Sequence, residues 1–212
     1  MISLFRIFCV ALFLPLSSFA AEVSWIPFQG TESPDGRYVI AWGISEYTRF
    51  DDSDPDALFE KLDLDAVRNF IVDVKEGYIV KALPSRYFSL QGRAENHGSL
   101  DVKWRSDSKA VAVVYGGKWE PREIFVSYFT GISGNDFDTY DLLGSLSKAA
   151  RTRIASRLPA PDFGVVSFSD LTWKTDDSIA VTFEIYQPKG EEEGVGGALT
   201  FRPPSPASLI VE

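Results

Sequence analysis

Cysteine and histidine are almost absent from this 212-residue chain, which has one of each. Cys9 lies in an N-terminal leader, so the rest of the chain has no thiol for a disulfide, a thiolate metal site or a cysteine nucleophile. His97 alone is too little for a metal site built on several imidazoles. No metal or cofactor is therefore expected, and a Ser-His-Asp triad would have to use His97, with no Gly-x-Ser-x-Gly elbow beside it.

Positive charge and long hydrophobic runs are also scarce. The chain has 21 Lys and Arg against 30 Asp and Glu, a net charge of −9. An acidic chain is a poor partner for phosphate backbones, so nucleic-acid binding is not expected. The apolar run at residues 7–16 is about half the roughly 20 residues that a membrane-spanning helix needs. No later run is longer, so we expect no stable membrane insertion once the leader is removed.

The first twenty residues have the layout of a secretory signal peptide. Arg6 provides the positive charge, an apolar core follows, and small residues end it at Ala20. Cleavage after Ala20 would leave 192 residues with a net charge of −10, because Arg6 is lost with the leader. An exported protein without disulfides is typical of bacteria, so the predicted location is periplasmic or secreted. The alternative is an uncleaved membrane anchor.

Three short segments share one pattern, in which a turn around an aspartate leads into an alternating apolar strand. They are "ESPDGRYVIA" (32–41), "WRSDSKAVAV" (104–113) and "WKTDDSIAV" (173–181). Asp35, Asp107 and Asp176 hold the same place in each. Asp, Gly and Ser favour tight turns, and β-branched alternation favours strands, so each segment predicts the turn of a β-hairpin.

Further strand-like runs surround these turns and predict three antiparallel meanders within one β-rich domain at 21–212. Their units span about 21–92, 93–160 and 161–212. The predicted strands lie at 68–74, 78–83, 99–104, 123–129, 164–173, 179–186 and 198–202. Two helices are predicted as insertions: a short one within 54–70, with Asp54 as N-cap, and a longer one over 138–159.

The repeated segment resembles the blade repeat of TolB-type β-propellers. "SPDGRYVIAWG" follows that blade pattern, "WRSDSKAVAV" has Ser106 and Ser108 where Pro and Gly are usual, and "WKTDDSIAV" is degenerate. The resemblance implies a mainly β, propeller-like fold. Three copies some 70 residues apart, with inserted helices, imply an incomplete or irregular one. The chain combines "SPDGR", an Asn-His-Gly segment and a "GKW" segment, and in this it resembles small exported bacterial proteins of unknown function.

Hairpin geometry predicts a candidate ligand site. If strands 99–104 and 110–116 form a hairpin, the residues before the first and after the second lie at the same end. The predicted ligand-binding residues are Asn96, His97, Lys118, Trp119 and Glu120. An aromatic ring with amide, imidazole and charged neighbours suits a sugar ring or a peptide side chain. The alternatives are that His97 makes a structural hydrogen bond and that Trp119 covers the core edge.

Two clusters of acidic residues allow a calcium interpretation. Asp52, Asp54, Asp56 and Asp63 have partial EF-hand spacing, but Ala57 stands where the loop needs Gly. Asn135, Asp136, Asp138 and Asp141 precede the longer predicted helix. Helix capping explains the same aspartates.

The favoured function is therefore a non-enzymatic binding or interaction module with a protein or glycan partner. The alternatives are a hydrolase acting on envelope glycans or peptides, and a calcium-stabilised structural protein.

Overall fold

The three predicted turns each join two strands of an antiparallel sheet. The computed structural model describes residues 24–45, 49, 54–131, 137–175, 177–188 and 193–204, so the predicted signal peptide lies outside the described residues. The strands in these ranges form three larger sheets and one small hairpin.

The strands are β1 Ile26–Pro27, β2 Tyr38–Gly43, β3 Arg68–Asp73, β4 Tyr78–Leu83, β5 Ser89–Leu90, β6 Arg93–Ala94, β7 Ser99–Trp104, β8 Ala110–Gly116, β9 Pro121–Phe129, β10 Phe137–Asp141, β11 Val165–Trp173, β12 Ile179–Tyr186 and β13 Val195–Phe201. In the order of hydrogen-bonded neighbours, the first sheet is β1-β2-β3-β4, the second β7-β8-β9-β10 and the third β11-β12-β13, and β5 and β6 form a small hairpin. The predicted fold class is confirmed: the protein is mainly β, with antiparallel sheets and, among the described residues, two α-helices.

The shorter helix, α1, spans Pro55–Lys61. As predicted, Asp54 caps it, because its side chain accepts a hydrogen bond from the Ala57 backbone N–H at 3.1 Å. A 3-10 turn at Leu64–Ala66 follows before the chain enters β3.

The longer helix, α2, spans Leu143–Arg153 and is shorter than predicted. The prediction of a helix from residue 138 is wrong, because the chain from Phe137 to Asp141 forms the edge strand β10 against β9. Phe137 is buried between the first two sheets, and this tertiary packing overrides the helical pattern. Leu146, Ala150 and Ile154 form the buried face of the helical segment, as its spacing predicts.

The core lies in layers between consecutive sheets. Tyr38, Ile40 and Trp42 of β2 pack against Val111 and Val113 of β8. Alternate residues of β8 face the other way and meet α2 and the third sheet. The second sheet is therefore covered on both faces, which explains why all seven residues of β8 are buried.

The repeated turns also connect the sheets, and they do so in equivalent ways. Trp104 donates its indole N–H to the carbonyl of Thr31, and Trp173 donates to the carbonyl of Lys103, both at 2.8 Å. Thr31 and Lys103 each directly precede the aligned position in the preceding copy. The same tryptophan contact thus joins the first sheet to the second and the second to the third.

A second equivalence lies in the turn backbone. Gly36, Ser108 and Asp177 have φ values of 69°, 61° and 62°, in the left-handed region. Ser108 accepts the Asp35 backbone N–H at 3.0 Å, and Asp177 accepts from the Arg105 guanidinium at 3.1 Å. Each of these side chains reaches back to the turn of the preceding sheet. No helix among the described residues is long and apolar enough to cross a membrane.

Candidate functional site

The predicted ligand-binding residues lie at one end of the second sheet. The register of β7 and β8 pairs Ser99 with Gly116, so the segment before β7 and the segment after β8 emerge side by side. Asn96, His97, Lys118, Trp119 and Glu120 are all exposed there. We call these five residues the rim. The hairpin argument located their common end, and the binding of a ligand there stays a prediction.

A tight turn presents the first half of the rim. The Gly98 backbone N–H donates to the Glu95 carbonyl at 3.0 Å. His97 has a φ of 59°, an uncommon conformation for a residue with a side chain. The turn holds Asn96 and His97 toward solvent at the start of β7.

The second half is a turn that holds an exposed tryptophan. The Gly117 N–H donates to the Glu120 carbonyl at 2.9 Å, which closes the turn. Trp119 is 41% exposed, and the Lys118 ammonium lies 4.7 Å from the centre of its ring. The Tyr186 hydroxyl, on the third sheet, donates to the Trp119 carbonyl. The backbone of Trp119 is therefore tied to two sheets, while its ring faces solvent.

A polar network that the sequence analysis missed supports both turns. The Tyr115 hydroxyl donates to Glu95 at 2.7 Å and accepts from Arg122 at 2.6 Å, and Arg122 also donates to Glu95. Burial, followed by the bond to Glu95 and the negative charge of Glu95, raises the pKa of Tyr115 to about 12. Tyr115 therefore stays a hydrogen-bond donor at physiological pH. The sequence feature that could have indicated this network is the position of Tyr115 and Arg122 next to the two turns.

A small concavity continues from Glu120 toward the third sheet. Its volume is about 180 Å³, and Leu143, Ser147, Arg151 and Val165 contribute to its wall. Arg151 is held by the carbonyls of Phe163 and Gly164 at 2.8 and 2.7 Å. The space is the size of a single side chain and lies beside the rim.

A larger groove of about 440 Å³ lies at the opposite end, between the turns of the second and third sheets. Trp104, Leu171 and Trp173 line it together with Arg105. Asp107 binds the Arg105 guanidinium through both carboxylate oxygens, at 2.9 and 2.8 Å, and Asp177 binds it as well. This arginine joins two sheets, and its aspartate partners neutralise its charge.

Three of the described aspartates in the calcium interpretation accept backbone hydrogen bonds at turns and helix starts. Asp54 caps α1, Asp63 accepts the Asp65 N–H at 3.1 Å, and Asp141 accepts the Leu143 N–H at 2.9 Å. Asp52, Asn135 and Asp136 lie outside the described residues. Within the described ranges no group of three or more His, Cys, Asp or Glu side chains could hold a metal ion.

Comparisons with known proteins gave a structural likeness of low similarity. No family model matches the chain, and no curated protein matches it. The structure aligns with one titled "Crystal structure of a putative conserved lipoprotein" from Clostridium novyi NT, with 12% identity and a TM-score of 0.38. The alignment covers 85% of this chain and 86% of that one. At this TM-score the likeness carries no inference about fold or function.

Proposed function

We propose that the protein is an exported, non-enzymatic binding module whose rim contacts a protein or glycan partner. The observation that carries the proposal is Trp119: a large aromatic ring that is 41% exposed on a backbone held at both ends. Tryptophan is enriched among the residues that dominate binding energy at interfaces. A ring on a fixed turn loses little conformational freedom when a partner covers it.

The side chains around Trp119 suit recognition of a polar surface. Asn96 and His97 supply an amide and an imidazole, and Lys118 and Glu120 supply opposite charges. An aromatic platform with such neighbours stacks on a sugar ring or an apolar side chain while the polar groups bond its edges. The pattern of residues 1–20 and the absence of later cysteine support action in the periplasm or outside the cell.

We also infer that the three sheets are degenerate blades of a propeller-like arrangement. The support is the equivalence of the turns: the same left-handed position in each and the same indole-to-carbonyl bond between neighbours. Such an arrangement presents loops at both ends of each sheet, and the rim is one of these loop groups.

The test of the binding function is chemical cross-linking of tagged residues 21–212 in the native envelope, with mass spectrometry of the captured material. We expect a discrete partner that is lost in Trp119→Ala. The matched control is Tyr78→Ala, which removes an aromatic ring that is 47% exposed on β4 of the first sheet. Equal capture by both variants would contradict the proposal. A glycan array with purified protein then separates a sugar partner from a protein one.

A further inference from the structure

The larger groove, at the end of the molecule opposite the rim, has a basic lining in an acidic chain. Among the described residues that line it, three are cations, three carry a hydroxyl and none is a carboxylate. They are Lys103, Trp104, Arg105, Ser106, Leu171, Thr172, Trp173, Lys174 and Thr175. Asp176, the next residue along the chain, lies outside the described residues. The volume of about 440 Å³ is typical of a small-molecule site.

The groove is built from equivalent positions of two copies of the repeated segment. Trp104 and Trp173 are aligned, and the residues that follow them, Arg105 and Lys174, are both basic. The first copy reads "ES" at these two positions (32–33). Of the two junctions between sheets, only that of the second and third therefore combines two tryptophans with two basic residues.

The cations of the groove retain the capacity to bind a ligand. In the described part of the chain Arg105 donates three N–H groups, to Asp107 and Asp177, of the five that a guanidinium has. Lys103 binds Asp101 at 3.0 Å, and both side chains are 45% exposed. An ion pair this exposed contributes little, so a ligand competes for the lysine easily.

The groove also offers an aromatic ring of fixed orientation. Trp173 is half-buried, its indole N–H donates to the Lys103 carbonyl, and the Arg105 guanidinium lies 5.8 Å from its ring centre. The Tyr128 ring packs against it edge-on, with the ring centres 6.3 Å apart. A ring held in this way loses little conformational freedom when a ligand stacks on it.

An irregularity in β11 lies directly beside the groove. The pairing of β11 with β12 is interrupted between Ser169 and Thr172, and Asp170 has a φ of 53°. A bulge redirects the side chains that follow it, and bulges are common next to functional sites. Leu171 and Thr172, at this bulge, belong to the lining of the groove.

We propose that this groove binds an acidic sugar, that is, a pyranose ring with a carboxylate or a phosphate. The apolar face of the sugar stacks on Trp173, and Lys103 and Lys174 bind its anionic group. Arg105 and the hydroxyls of the lining bond to the ring substituents. A neutral sugar would leave the lysines unused, and an aliphatic anion would leave the indole ring uncovered. The site is independent of the rim and of the function proposed for it.

The test is isothermal titration calorimetry of residues 21–212 with three disaccharides that share the same two rings. Cellobiose is neutral, cellobiouronic acid has a carboxylate at the terminal carbon, and the third is cellobiose phosphorylated at that carbon. We expect one or both acidic disaccharides to bind about tenfold or more tightly than cellobiose, and added salt to weaken the binding. The one that binds more tightly identifies the anionic group. Equal affinity for all three, or binding of neither acidic disaccharide, overturns the proposal.

Two double variants locate the binding. Lys103→Gln with Lys174→Gln should weaken the acidic disaccharide about tenfold. Lys75→Gln with Lys148→Gln makes the same change in net charge at exposed lysines outside the lining and should leave the affinity unchanged. Equal weakening by both would mean that only the overall charge acts, and would overturn the proposal. Trp119→Ala should bind like the parent, and loss of binding there would assign the sugar to the rim instead.

Discussion

At the scale of single residues, the position of the rim depends on side chains that are not part of it. Tyr115, Glu95 and Arg122 form a closed set of hydrogen bonds below the two turns. Glu95 and Arg122 belong to segments on either side of β7 and β8, so Tyr115 connects them. These hydrogen bonds hold the two turns in place and so fix the position of the exposed Trp119 ring.

We predict that Tyr115→Phe lowers the free energy of unfolding by about 1–2 kcal/mol, since the phenyl ring cannot bond to Glu95 or Arg122. Chemical denaturation of the variant and its parent measures the difference. Tyr78→Phe, at an exposed position on β4, serves as the control and should change stability by less than about 0.5 kcal/mol. If the two changes lowered the free energy of unfolding equally, the hydrogen bonds of Tyr115 would make no contribution to stability.

Asp107 makes stability depend on pH. The hydrogen bond from Arg105 lowers the pKa of this carboxyl below its ordinary value, against the opposing effect of burial, with the Lys109 N–H also lowering it. Because the folded pKa is the lower one, the stabilisation is complete above the ordinary carboxyl pKa and is lost as pH falls through the folded value.

We therefore predict that Asp107→Asn lowers Tm at pH 7 and that the difference from the parent shrinks below about pH 4. Thermal melting at pH 7 and pH 3 measures this. Asp162→Asn, in an exposed turn, should leave the Tm difference small at both pH values. A difference for Asp107→Asn that is equally large at pH 3 would refute the electrostatic origin.

At the scale of elements, two glycines show how close the backbone packs. A Cβ at Gly164, just before β11, would lie 2.4 Å from the Tyr186 carbonyl oxygen, and φ there is +59°. A Cβ at Gly144, in the first turn of α2, would meet no atom within 4 Å. Replacing glycine by alanine should therefore lower the stability of the protein at Gly164 and raise it at Gly144.

We predict that Gly164→Ala destabilises the protein by roughly 2 kcal/mol or more, through steric overlap and left-handed strain. Gly144→Ala should stabilise it by about 0.5 kcal/mol, since alanine favours the helix. Denaturant midpoints of both variants decide the matter. A neutral Gly164→Ala would mean that β11 and β12 separate easily at this end.

The strands with alternating patterns were predictable at this scale. The limits of β4, β7 and β12 agree with the predicted runs because each carries its own apolar alternation and turn residues. β10 was missed, since its strand state comes from pairing with β9 rather than from its own polar sequence. β13 was placed three residues late because Gly196 and Gly197 hide its pattern.

The rim followed from hairpin register, whereas the network of Glu95, Tyr115 and Arg122 required three segments to be placed together.

At the scale of the whole molecule, the sheets form a row with unlike ends. The outward side of β12 in the third sheet presents Ala180, Thr182 and Glu184, of which the last two are exposed. The corresponding end of the first sheet has an apolar cluster that includes Val39 and Phe70. A polar outer face is what a terminal unit of a stacked array needs for solubility.

The indole contacts between sheets should contribute equally to this row. We predict that Trp104→Phe and Trp173→Phe each lower the free energy of unfolding by about 1–3 kcal/mol, through the lost hydrogen bond and the smaller ring. Trp25→Phe, outside both turn contacts, is the comparison and should cost less. If either change left the free energy of unfolding nearly unaltered, the repeated indole-to-carbonyl hydrogen bond would not be a stabilising contact between the sheets.

The central claim is that the rim around Trp119 is the surface that meets a partner. The most direct measurement places a photo-reactive benzophenone side chain at position 119, and separately at position 78, in the protein expressed in its native cell. The account predicts a discrete cross-linked product from position 119 and none from position 78. No product from position 119, or the same products from both positions, would contradict it.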